Sequence, residues 1–417
     1  MAALARPVAV ALILALASGL LGTQSIAFSD YEIEAEPAAV ALAAGELGRF
    51  ADLAPAYGGS LVLRAPFAWA AGALGFGADL GLYRALVLPA LLAAGLLAVW
   101  LWRCARSTGA PGAWLALVLA GANPFSLRAL EVGHPEEVVG AVLCVAALLL
   151  ALRDRAVAAG VLLGLAAANK PWALLAALPV LLALEAGRGR CALLAAGVGG
   201  ALMAPLLIAG SAVQSLASAT ENKTEIFQPW QVFWFFGEHT GPVYGLLGEK
   251  EGFRAAADWA QAISHPAVVL VGVAVALAWW PRRRRDGALA LLALVMLTRC
   301  LLDTWNTDYY AVPFLLALLA HEVVARHRAP YATLVVTIAL WTCFELLPTA
   351  DVQAAAFLAV AGSTWIALAL AAFAPELAAR LSRAAHERAA RRLPSLLAQP
   401  ASSATAVSRS PALTAWP

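Results

Sequence analysis

Apolar residues run along this chain in long blocks parted by short polar connections. The blocks cover 7–28, 59–76, 82–102, 112–130, 137–152, 156–168, 171–186, 191–212, 265–281, 287–302, 309–325, 330–347 and 352–373. None alternates with period two as the strands of an outer-membrane barrel do, so the pattern predicts bilayer-spanning helices. The block 59–76 differs from the rest, because Arg64 and Pro66 lie inside it. If all thirteen blocks crossed, Arg103 and Arg106 would fall on the side opposite Arg6, and every later basic loop would flip with them. A helix at 59–76 that lies at the outer interface removes the conflict. Twelve spans then remain, with both termini inside.

That orientation sorts the charges. The inner connections carry Arg103/Arg106, Arg153/Arg155, Arg188/Arg190, Arg282 to Arg285 and Arg326/Arg328, and Arg380, Arg383, Arg388, Arg391 and Arg392 follow the last span. This is the positive-inside pattern. The expected organisation is a transmembrane domain over 1–374, with outer loops 29–81 and 213–264, and a basic, largely disordered cytoplasmic tail over 375–417. Ala15-Leu16-Ala17 resembles a signal-peptide cleavage site, but the apolar run continues to Phe28, so an uncleaved anchor is expected.

Composition supports this picture. Of the 417 residues, 62% are hydrophobic and 13% charged, too little polar surface for a soluble domain of this length. The five cysteines are scattered without a CxxC pair, which implies neither a disulfide framework nor a thiolate metal site. The Ala- and Arg-rich composition suggests a GC-rich bacterial source and hence a plasma membrane, and nothing points to nucleic acid.

The outer face holds the unusual polar residues. Asp30, Glu32, Glu34 and Glu36 follow the first span directly. A carboxylate held there beside an apolar wall can act as a general base on a hydroxyl. Asp30, nearest the span and best fixed, is the first candidate and Glu32 the second; alternatively the stretch is a solvated acidic loop with Ser29 as helix cap. Glu131, His134, Glu136 and Glu137 precede another span. Their acids suit the start of a helix behind Pro135, yet one acid would suffice for that role. A histidine with two carboxylates could also ligate a divalent cation. Lys170 sits between two short apolar runs and costs about 1–3 kcal/mol there unless it snorkels or is paired. An acid of the site or a lipid phosphate would pair it; Arg64, Arg84 and Arg299 lie at similar depth and could also contact phosphate. The stretch Phe227 to His239, dense in aromatic and charged groups, suits the headgroup level as an aromatic belt, or a cover over a lipid-linked substrate. Finally, Trp305, Asn306, Asp308 and Tyr309 combine indole, amide, acid and phenol as sugar-binding surfaces do, although a capped interhelical turn would also account for them.

The layout resembles the type C glycosyltransferases, polytopic enzymes that take sugars from polyprenyl phosphates. The resemblance rests on the acid after the first span, the interfacial stretch Pro55 to Phe67, the element Gly160 to Lys170, and two further segments. These segments, Asn123 to Glu137 and Asp303 to Tyr310, look like those of the mannosyltransferase-like branch of actinobacteria. The resemblance implies an all-α fold and inverting transfer of a hexose, such as mannose, outside the cytoplasm. The acceptor would be a cell-envelope glycan or lipid. Asp30 would be the base, and Lys170 or Arg84 would stabilise the lipid phosphate as it leaves. The paired prolines usual in the interfacial helix are absent, as is a large soluble domain. A secondary transporter or lipid flippase is the alternative, but it would place polar groups at mid-membrane, where these spans carry almost none. A non-catalytic membrane subunit is a third reading, and it predicts that the outer acids can be neutralised without consequence.

Overall fold

The structure, a computed structural model, describes residues 2–24, 30–77, 80–209, 227–240, 243–245, 248–250, 253–282, 285–378 and 380–381. Residues 1–373 form one compact unit and 374–417 a second. Within the first unit, α1 (Ala2–Gly22) is followed by a π-helical turn, Tyr31–Ala35, and three short helices, α2 (Glu36–Ala43), α3 (Leu47–Leu53) and α4 (Gly58–Ala73). Next come α5 (Leu80–Ser107), α6 (Ala113–Gly121), α7 (Pro124–Val132), α8 (Pro135–Ala151) and α9 (Ala156–Asn169). A 3-10 turn, Pro171–Ala176, leads into α10 (Ala177–Ala183) and then α11 (Arg188–Ala209). After the outer loop, the chain forms α12 (Asp258–Trp279), α13 (Ala288–Leu302), α14 (Val312–Ala320), α15 (Tyr331–Trp341) and α16 (Ala350–Phe373).

A helix falls on each of the twelve expected spans. Among the described residues, seven stretches are long and apolar enough to cross a membrane: Leu4–Gly22, Leu80–Ser107, Ala113–Val132, Arg188–Ala209, Asp258–Trp279, Asp308–Ala325 and Ala350–Phe373. Shorter apolar helices cover Ala156–Asn169, Pro171–Ala183, Ala288–Leu302 and Tyr331–Leu346, and α8 covers the remaining span. The protein is an all-α polytopic membrane protein. Its outer helices turn leucines outward, with Leu16 66% and Leu96 73% exposed. Helices α8, α13 and α14 are instead buried on nearly every side, apolar apart from the charged residues at the ends of α8 and α13, and form the centre against which α9, α12 and α16 pack.

Helix α4 occupies the 59–76 block. It buries Leu61, Arg64, Ala65, Ala68 and Ala71 at helical spacing, and its glycines allow close crossings. A Cβ at Gly59 would overlap the carbonyl of Ala168, and one at Gly72 the carbonyl of Ala43. This binds α4 to both α9 and α2, which fixes the chain near Lys170 against the chain near Asp30.

The basic connections gather at one end. Arg285 reaches Asp154 and lies 2.9 Å from Glu185, and Arg153 lies over the ring of Trp100 at 5.1 Å. At the other end, the connection between α11 and α12 includes two short antiparallel ribbons, Glu238–His239 with Arg254–Ala255 and Val243–Gly245 with Gly248–Lys250. The aromatic stretch divides. Phe227, Phe233 and Trp234 are buried in a small core with Ala350 and Ala354, whereas Phe235 and Phe236 stay exposed. Asp351 anchors this core, accepting from Trp234 Nε1 at 2.7 Å and from Arg254 Nε at 3.0 Å.

Candidate active site

Three chain turns and two helices build a buried polar cluster. The first turn is 133–137. Asn123 caps α7 by accepting from the Phe125 N–H at 2.9 Å, and the helix stops at Gly133, whose φ is 102°. A side chain at Gly133 would sit 2.6 Å from the backbone nitrogen of Tyr31. Glycine is required here for conformation and for space, and it lets the Asp30–Tyr31 backbone rest directly on the turn. His134 follows, and Pro135 starts α8 with Glu136 and Glu137 in its first turn.

His134 is buried and holds two carboxylates. Its Nε2 lies 2.8 Å from Asp30 Oδ2 and its Nδ1 2.6 Å from Glu136 Oε1. Burial and the nearby Lys170 push its pKa down, but Glu136 and Asp30 outweigh them and raise it from 6.5 to about 9. At neutral pH His134 is therefore an imidazolium that donates to both acids.

The second turn brings Lys170 to the C-terminus of α9. Its ammonium lies 2.9 Å from Glu136 Oε1 and 3.2 Å from Glu137 Oε1. The ring of Tyr57 faces it at 4.7 Å. Asn169 joins three elements. It accepts from Ser60 Oγ of α4 at 2.9 Å and donates to the Glu136 carbonyl at 2.7 Å. Arg64 of α4 lies 3.8 Å from Glu136 Oε2.

From α13, Arg299 places two nitrogens 3.4 Å from the Glu137 carboxylate. Its guanidinium lies 3.8 Å from the ring centre of Tyr310 and 4.9 Å from that of Trp172. Trp172 Nε1 donates to Glu137 at 3.0 Å. Glu136 and Glu137 thus have separate cation sets that share Lys170. Two wholly buried carboxylates face four cationic groups, Arg64, His134, Lys170 and Arg299, so the interior of the site carries a positive surplus. Asp30 stands at its edge with its side chain 40% exposed.

The sequence candidates therefore separate. Asp30, Arg64, His134, Glu136, Glu137 and Lys170 meet in one cluster, and the ring of Tyr309 lies 4.9 Å from that of His134. Asp308 sits beside them, paired with Arg128 at 3.0 Å. Asn306 donates to the Trp230 carbonyl at 2.6 Å, so it helps to seat the outer loop, while the Trp305 N–H caps onto Asp303 Oδ1 at 3.0 Å. Arg84 is directed elsewhere, toward Thr23 Oγ1 and its carbonyl, both at 3.3 Å. Glu32 is exposed on the π-helical turn, whereas Glu34 accepts from the Tyr57 hydroxyl at 2.6 Å. Ser29, the expected cap, lies outside the described residues. Among the described residues, no group of three or more His, Cys, Asp or Glu is placed to hold a metal ion. Sequence reasoning did not single out Tyr57, Trp172, Tyr310 or Arg128. Trp172 and Tyr310 stood next to candidate residues, and Tyr57 stood within the interfacial stretch. Only the packing of α4 on α9 shows what Tyr57 touches.

No curated protein and no solved structure matched the chain. A family match did emerge, over residues 58–304, from the start of α4 through Thr304. It takes in Arg64, His134, Glu136, Glu137, Lys170 and Arg299, and is to the sequence model of glycosyltransferase family 87. With well over half of its length inside that match, the chain belongs to glycosyltransferase family 87, a type C family of membrane glycosyltransferases.

Proposed function

We propose that the enzyme transfers a hexosyl group, mannose by resemblance, from a polyprenyl phosphate to a hydroxyl of a cell-envelope glycan or lipid. In this reading the reaction takes place on the extracytoplasmic face of a bacterial plasma membrane and inverts the anomeric centre, with Asp30 as base. The observation that carries the reading is the partly exposed Asp30 carboxylate at the mouth of a buried cationic cluster. The acceptor oxygen attacks the anomeric carbon as its proton passes to Asp30. The bond from that carbon to the phosphate oxygen breaks, and its electron pair leaves with the lipid phosphate. A single displacement of this kind inverts the centre.

His134 orients the base by binding Oδ2, so Oδ1 faces the acceptor. The imidazolium holds the Asp30 carboxylate in place at 2.8 Å. The acceptor hydroxyl becomes acidic as its bond to carbon forms, so a weak base suffices. The leaving phosphate meets the positive surplus of Lys170, Arg64 and Arg299, a preorganised field for developing negative charge. Glu136 and Glu137 fix these cations without cancelling them.

Two features support a lipid-linked donor on the outer face. An apolar cavity of about 380 Å³ lies between α9, α10 and α11, lined by Leu163, Leu174, Ala177, Ala195 and Met203, and reaches Ala168, beside Asn169 and Lys170. An isoprenoid chain there would place its phosphate at Lys170. The arginine-rich connections lie at the end of the bundle opposite the site, as the positive-inside rule requires of an outward-facing one.

The test is to offer purified protein in lipid nanodiscs a radiolabelled polyprenyl-phosphate hexose and, separately, nucleotide-linked hexoses. Transfer from the lipid phosphate alone is expected. Use of a nucleotide sugar, or of neither donor, contradicts the proposal.

A further inference from the structure

Asp30 is followed one turn later by Glu34, and the two carboxylates are held by different partners. Asp30 Oδ2 is bound by His134, while Glu34 Oε2 is bound by the hydroxyl of Tyr57 at 2.6 Å. Tyr57 comes from just before α4, is 6% exposed, and stands between the two halves of the site. Its ring lies 6.0 Å from that of His134 and 4.7 Å from the Lys170 ammonium. Glu34 is thus tied to the cluster by a side chain the rest of the site already fixes, although Glu34 itself is exposed.

The intervening backbone explains why these two acids share a face. Tyr31–Ala35 is a π-helical turn, closed by the Glu36 N–H on the Tyr31 carbonyl. Side chains four apart on a helix lie about 5–6 Å from one another at Cβ, and short π segments recur at functional sites. Glu32 and Ile33, between them, are exposed, Ile33 at 77%. Two carboxyl groups about one turn apart, each with one oxygen taken by the protein and one left over, suit a ligand with two neighbouring hydroxyls.

We infer that Glu34 is a second substrate-contacting carboxylate, positioned by Tyr57, which selects an acceptor carrying a hydroxyl adjacent to the one glycosylated. In this arrangement Asp30 takes the proton from the reacting hydroxyl. Glu34 accepts a hydrogen bond from the neighbouring hydroxyl, so the acceptor is a sugar or polyol rather than a simple alcohol. This rests on the reading of Asp30 as the base.

Octyl mannopyranoside, its monodeoxy analogues and octanol serve as acceptor probes, with wild type, Glu34→Gln and Tyr57→Phe compared after thermal unfolding shows all three folded. For the diol acceptor, Glu34→Gln is expected to raise KM by about 10–100-fold, the worth of one hydrogen bond to a charged group, with kcat little changed. For the analogue lacking the neighbouring hydroxyl, wild type and Glu34→Gln should be equal. Tyr57→Phe should raise KM for the diol alone, by a smaller factor. Equal losses on both acceptors, no loss on either, or preference of the wild type for octanol overturns the role of Glu34. Absence of transfer to every acceptor, water included, overturns the transferase mechanism on which the inference rests.

Discussion

Lys170 and Glu136 meet at 2.9 Å where neither is more than slightly exposed, and the same ammonium reaches Glu137 at 3.2 Å. One cation is thereby shared by two adjacent carboxylates at the start of α8, which Arg64, His134 and Arg299 also face. Such a pair contributes little net stability over an apolar pair, but removing one partner leaves charge stranded. Lys170→Met is expected to cost about 3–5 kcal/mol and to abolish transfer. Lys170→Met with Glu137→Gln should recover much of the fold without recovering activity. Thermal unfolding in detergent, run beside a transfer assay, separates the two effects.

The pH dependence follows from His134. Its pKa rises from 6.5 in the unfolded chain to about 9 in the fold, so the stabilisation from its charged form is complete below 6.5 and fades as pH climbs through about 9. The unfolding midpoint should fall across that interval, whereas transfer should hold until the pH nears 9, where the folded imidazole loses its second donor and its grip on Asp30 or Glu136. His134→Gln should remove this alkaline limb. A limb of the same size in His134→Gln would assign it to another group.

Gly133 carries the contact between the Asp30–Tyr31 backbone and the histidine turn. Gly133→Ala forces a methyl to within 2.6 Å of the Tyr31 nitrogen at a backbone φ of 102°. We expect a loss of about 1–3 kcal/mol in stability and a fall in kcat of at least about tenfold as Asp30 shifts. Gly45, also left-handed but with nothing near its missing Cβ, is the control. Its alanine variant should show the stability cost and keep its kcat.

Trp234 and Arg254, in the connection between α11 and α12, are tied to α16 by Asp351, which accepts from both. Asp351 is partly exposed, so its contribution is local and modest. Asp351→Ala should speed tryptic cleavage at Arg254 several-fold while leaving unfolding of the helical core unchanged. Cleavage at the wild-type rate would show that the small aromatic core alone holds the loop.

Hydrophobic blocks predict helices well in a membrane protein, because every backbone group must be satisfied within its own segment. All twelve expected spans are helical for that reason, and Arg64 with Pro66 marked α4 as different. The site was legible as a set of residues, since buried or interfacial charge is expensive and so conspicuous in sequence. Its pairings were not. Arg299 and Glu137 are separated by 162 positions, and which of two adjacent glutamates each cation takes depends on the rotation of α8. Asp30, Glu32, Glu34 and Glu36 all stood as possible bases with Asp30 and Glu32 put first, because which acids turn toward the site depends on helical phase through a π turn that a run of acids conceals. Arg84 stood at the right depth but turns toward Thr23. Tyr57 carried no charge to draw attention, and its role appears only where α4 crosses α9.

The most direct test of the account is the turnover of Asp30→Asn with a polyprenyl-phosphate hexose donor, in protein whose insertion and unfolding midpoint match the wild type. The amide keeps the shape and can still accept from His134 but cannot take a proton. A fall in kcat of about 10²–10⁴, the range of general base catalysis, with donor binding retained is the result predicted. Turnover within a few-fold of wild type would contradict Asp30 as the base.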